Sequence, residues 1–126
     1  MQPPDSGTLQ ALFVQSHLYQ AARRAAVVAR ENLNRLTLGK SGDGLLRLTA
    51  TAGELGTARE EVEVETTGDP AGEPRSVTLN VAYLLDALKA VETEKVALEL
   101  TEPKQPVVVR PVGDDGHQTI VMPLNA

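Results

Sequence analysis

Apolar and polar residues alternate through Val77, Thr78, Leu79, Asn80 and Val81, the period of a strand with one buried face. From Val81 the spacing changes: Val81, Leu84, Leu85, Leu88 and Val91 fall at i, i+3, i+4, i+7 and i+10, one face of a helix. Asn80 stands at the change. Its side-chain oxygen can accept from the unpaired N–H groups of the first helical turn, so the pattern predicts a strand feeding directly into a capped helix.

The same change of period occurs earlier, in "ALFVQSHLYQAARRAAVV". A shift of 66 residues lays Leu18 on Leu84, Gln20 on Asp86, Ala21 on Ala87 and Arg23 on Lys89, a consistent apolar and polar register. Ser16 is the expected cap of this first helix. Three strand-like segments follow each helix: 35–39, 44–51 and 57–66 in the first half, 95–101, 106–112 and 117–124 in the second. Turn signals separate them, "KSGDG" and "AGELG" in the first half and "EPKQ" and "GDDG" in the second. Each half therefore reads β-α-β-β-β, and the polar Pro/Gly stretch 67–76 connects the two. Neither half has the apolar surface to stand alone. Two copies packed together place both helices on antiparallel sheets, an α+β fold.

The chain's 126 residues suit one domain, expected over 8–126, with 1–7 as a flexible leader or linker remnant. Aromatics are limited to Phe13, Tyr19 and Tyr83, so Leu, Val and Ala must build the core. A net charge of -5 argues against gripping nucleic acid by bulk electrostatics, although a local basic strip is compatible with it. Without cysteine there is no disulfide framework and no thiolate nucleophile. No apolar run approaches a membrane span and no secretory signal opens the chain, which predicts a cytoplasmic protein with no membrane partner. His17 and His117 lack further ligands at metal spacing, and Ser16 beside His17 points away from it on a helix. No catalytic residues, metal or cofactor are expected.

In order and spacing, "LNVAYLLDALKAV", "KVALELTEPKQPVVVRPV" and the terminal "IVMPLNA" resemble the third, C-terminal domain of the bacterial DNA polymerase III beta subunit, the sliding clamp. The resemblance covers about 8–126 and implies a DNA-clamp domain, one of three in a chain that pairs with a second into a ring. It implies a non-enzymatic processivity factor of DNA replication. Its partners would be DNA polymerase subunits, the clamp loader and repair proteins, held through short hydrophobic linear motifs, and double-stranded DNA within the full ring.

By the same resemblance, Asn80, Tyr83, Pro106, Ile120, Met122, Pro123 and Leu124 form the peptide-binding pocket. Methionine suits it, being soft enough to mould around Leu and Phe side chains. The alternative from pattern alone is a last core strand with Ile120 and Met122 turned inward. Asn125 and Ala126 stand where the family has a basic and a large residue, which predicts weaker peptide binding through loss of a charge-assisted contact. The resemblance assigns Val27 and Val28 to a contact between clamp chains, and Val27 falls among Gln20, Arg23 and Arg24, away from the stripe of Leu18, Ala21, Ala22, Ala25 and Ala29. Arg23, Arg24, Arg30 and Lys89 correspond to DNA-facing charges that would neutralise phosphates without reading bases; a solvated face with local pairs such as Asp86 and Lys89 is the other reading. The second function class is an assembly module of clamp fold, with a weakened pocket and self-association through Val27.

Overall fold

The computed structural model describes residues 9–40, 44–68, 76–100, 106–113 and 118–124. The expected leader, His117, Asn125 and Ala126 lie outside them, as does most of the connection between the halves.

Strand β1 (Leu9–Val14) runs into helix α1 (Gln15–Ala29), which ends in a 3-10 turn at Arg30–Asn32. Strands β2 (Arg35–Lys40), β3 (Leu45–Ala52), β4 (Gly56–Glu63) and β5 (Glu65–Gly68) complete the first half. The second half repeats the order: β6 (Ser76–Asn80), α2 (Val81–Lys89), β7 (Lys95–Leu100), β8 (Val107–Pro111) and β9 (Thr119–Val121). The predicted segment 57–66 is thus broken at Val64, and in the described part of 117–124 a strand forms over Thr119–Val121.

The halves are interlocked through their first strands. One sheet has the order β5-β1-β7-β8-β9 and the other β4-β3-β2-β6. Strand β1 of the first half pairs with β7 of the second, with Phe13 opposite Val96, and β6 pairs back with β2, with Leu79 opposite Leu36. Each strand-to-helix junction is closed by the other half. The Gln15 N–H donates to the Glu94 carbonyl and the Val81 N–H to the Asn34 carbonyl, both at 2.8 Å. These bonds satisfy the first orphan donor of each helix.

The junctions differ in their caps. Asn80 accepts from the Ala82 N–H at 2.8 Å, as its position predicts. The expected cap at Ser16 is not found: α1 begins at Gln15, which puts Val14 at the cap position, and Val14 has no side-chain acceptor. The Gln15 side chain instead donates to the Leu88 carbonyl at 2.8 Å, tying the start of α1 to the end of α2.

The core lies between the inner sheet faces and the two helices. Alternate residues of each strand supply it, including Leu9, Ala11 and Phe13 from β1, Leu36 and Leu38 from β2, and Val96, Leu98 and Leu100 from β7. The predicted stripe of α1 is buried throughout, and its alanines let α1 lie close against α2 and across β3 and β4. Val62 and Val64 point inward while Glu61, Glu63 and Glu65 face solvent. Among the described residues no polar or charged side chain is buried.

Candidate peptide-binding site

The second half ends by changing sheets. Val121 pairs with Val107 at the edge of the first sheet; the chain then crosses to the second, where Pro123 bridges Leu79 and the Leu124 N–H donates to the Thr78 carbonyl at 2.7 Å. Proline suits the crossing because it has no N–H to extend a ladder. The crossing brings together residues far apart in sequence: Asn80 beside Leu79 at the end of β6, Tyr83 in the first turn of α2, and Pro106 next to the Val107 and Val121 pair.

Exposure decides between the two readings of this segment. Val121 is 2% exposed and belongs to the core, whereas Ile120 and Met122 are 56% and 59% exposed. The last strand therefore does not hold both inward. Tyr83 is 62% exposed, and Pro106, Pro123 and Leu124 are half-buried. Large apolar side chains thus surround a strand crossing with half their surface in water.

Leu33 is a further exposed apolar residue, in a turn bonded to the start of α2, and the sequence patterns did not single it out. Leu33 and Asn34 adopt left-handed backbone, with φ of 57° and 60°, where the chain turns from the 3-10 segment into β2. Asparagine tolerates this conformation, but for leucine it costs about 1–2 kcal/mol. The turn is held by the Asn34 N–H to the Ala29 carbonyl and by the Asn34 carbonyl that receives the Val81 N–H, both at 2.8 Å. Leu33 is left 76% exposed, close in the fold to Asn80, which faces Arg35 across β2 and β6. Its spacing gave no warning: with Ala29 four residues before it and Leu36 three after, Leu33 continues the helical stripe, and only the asparagines on either side hint at a turn.

The remaining predicted positions lie away from the crossing. Val27 is 58% exposed and lines a shallow groove with Tyr19, Gln20, Arg23 and Arg24, while Val28 packs partly against the core. Arg23, Arg24, Arg30 and Lys89 are all exposed. Arg24 is held by Glu60 at 2.9 Å, and the Arg23 guanidinium lies 5.9 Å from the Tyr19 ring centre. Among the ion pairs of the described residues, none joins Asp86 to Lys89. Among the described residues no group of three or more His, Asp or Glu side chains is placed to hold a metal ion, and no helix is long and apolar enough to cross a membrane.

Comparison with known proteins accounts for this architecture. Residues 4–125 match the family model described as DNA polymerase III beta subunit, C-terminal domain. A Staphylococcus aureus protein named beta sliding clamp is 30% identical over 121 residues, covering 96% of this chain and 31% of its own. A DNA polymerase sliding clamp from Pseudomonas aeruginosa superposes with a TM-score of 0.85 at 30% identity, covering 98% of this chain and 33% of its own. The beta subunit from Thermotoga maritima gives a TM-score of 0.87 at 23% identity over 98% of this chain and 32% of its own, a likeness of fold. The chain spans about a third of the length of these relatives. With two helices packed on antiparallel sheets and a match that runs nearly end to end, the chain belongs to the family formed by the C-terminal domain of the DNA polymerase III beta subunit.

Proposed function

We propose that residues 8–126 serve as a clamp domain of a DNA polymerase processivity factor, a non-enzymatic module that holds linear motifs of polymerase subunits, clamp loader and repair proteins. The observation that carries this reading is the exposure of Tyr83, Ile120 and Met122 on the elements that meet at the Pro123 crossing, with Leu33 exposed in the turn that leads into β2. An extended motif with two apolar side chains would cover the crossing, Met122 adapting to their shape and Tyr83 giving a rigid flank. Asn80 keeps polar capacity beside the crossing, since its oxygen caps α2 and its amide N–H groups can meet a peptide carbonyl. Arg23, Arg30 and Lys89 would meet DNA phosphates in an assembled ring, with Arg24 already compensated by Glu60.

A fluorescence-anisotropy titration with labelled Gln-Leu-Ser-Leu-Phe tests the reading. Saturable binding is expected, weakened about tenfold or more by Met122→Ala or Tyr83→Ala, as for a side chain central to a small interface. A folded protein that binds neither this peptide nor its scrambled control would refute it.

Assembly is the second reading, favoured by the exposure of Val27 in its groove on α1. If that face joins two chains, sedimentation velocity would show a concentration-dependent dimer that Val27→Asp abolishes.

A further inference from the structure

The crossing at Pro123 has a counterpart in the first half. Strand β4 ends the second sheet at Glu63, the chain passes through Val64, and β5 joins the first sheet beside β1, with Glu65 opposite Leu12. Under the shift that lays β1 on β6, Leu12 falls on Thr78 and Phe13 on Leu79. Leu124 meets Thr78 as Glu65 meets Leu12, so Glu63, Val64 and Glu65 take the places of Met122, Pro123 and Leu124. At this counterpart lies a cleft of about 230 Å³, lined by Leu12, Val14, Gly44, Glu63, Val64, Glu65 and Lys95.

The side chains have exchanged character between the two sites. In the second half the strand is polar, with Thr78 and Asn80, and the crossing is apolar. In the first half Leu12 and Val14 are the apolar, half-exposed members, and two exposed carboxylates flank the crossing at Val64. Neither Glu63 nor Glu65 makes an ion pair with a described residue, and the lining carries one net negative charge. From this geometry we infer a second peptide-docking site, selective for an extended segment that sets an apolar side chain on Leu12 and Val14 and basic side chains against Glu63 and Glu65. Charge complementarity chooses the occupant: a motif of the Gln-Leu-Ser-Leu-Phe type brings no cation, whereas alternating arginine and leucine matches both features. The inference rests on the reading of the Pro123 crossing as a peptide site, because it takes the repeated backbone to be repeated in use.

The test is a two-dimensional amide NMR titration of the whole chain, labelled with nitrogen-15, against doubly capped Arg-Leu-Arg-Leu-Gly and, separately, Gln-Leu-Ser-Leu-Phe. The basic peptide should move the Leu12, Val14, Gly44, Val64 and Lys95 amides saturably. The double variant Glu63→Gln with Glu65→Gln should weaken it about fivefold or more, the scale of one to two exposed ion pairs, and Met122→Ala should leave it unchanged. Both glutamates are exposed, so the double variant keeps the fold, which its own spectrum verifies. The inference is overturned if millimolar basic peptide leaves these amides unmoved, if it moves only those around Asn80 and Met122, or if the double variant binds equally well. The apolar peptide reports separately on the Pro123 crossing: shifts there, with the cleft amides unmoved by the basic peptide, would sink this inference and leave the proposed function intact.

Discussion

The two halves share a backbone plan and differ in how they finish it. Both run from strand to helix without a loop, both have the helix's first N–H bound by the other half, and both end by crossing between sheets. Yet α2 is capped by Asn80, whereas α1 has no side-chain cap and is anchored by Gln15 to the end of α2. One crossing exposes methionine and isoleucine, and the other exposes glutamates. Positions facing the core are apolar in both copies, because packing leaves them no choice, while positions at the crossings are free to diverge. The two crossings therefore differ in surface chemistry while the cores match.

The largest effect should come from separating the halves. Because β1 completes the second half's sheet and β6 the first half's, segments 1–68 and 69–126 made separately should each lack stable structure, and mixing them should restore the helical circular-dichroism signal. A half that folds alone would break the interlocking account.

Next in size are the equivalent core positions. Phe13 and Leu79 are 1% and 0% exposed, so Phe13→Ala should cost about 3–5 kcal/mol and Leu79→Ala about 2–5 kcal/mol in urea unfolding. A cost below about 1 kcal/mol at either would contradict its burial.

The caps give a smaller and sharper contrast. Asn80→Ala should cost about 1 kcal/mol and Asn80→Ser much less, since serine still offers an acceptor. Gln15→Ala should cost about 0.5–1.5 kcal/mol, although its hydrogen bond lies across the helices rather than at a cap. Leu33→Gly should be the smallest in stability, within about 1 kcal/mol either way, as relief of left-handed strain offsets the added freedom of the unfolded chain. It should nonetheless weaken binding of the apolar peptide, which separates the role of Leu33 at the surface from any role in the fold.

The doubling of strand, helix and three strands was legible because each element exposes one face and buries the other, so its period is written in the residues. Partner choice was not. Alternation in β1 specifies which side chains are buried, but Ala97 or a residue of β2 could satisfy the face of Leu12 equally, and only the assembled sheets put Ala97 there. The break at Val64 was hidden for a related reason: "EEVEVET" alternates without interruption while its backbone passes from one sheet to the next. Placing the cap at Ser16 failed by two residues, about half a turn, since α1 starts at Gln15 and Val14 takes the cap position. At the candidate site, the resemblance to known clamps supplied Met122 and its neighbours. Leu33 was missed because its exposure comes from a left-handed turn, which no apolar period encodes.

Whether peptides dock at the Pro123 crossing is read by hydrogen exchange with mass spectrometry, with and without saturating Gln-Leu-Ser-Leu-Phe. Exchange should slow in peptides covering residues 80–84 and 118–124, with 61–66 unchanged. Unchanged exchange over both segments, or protection confined to 61–66, would contradict the assignment of the Pro123 crossing as the peptide site.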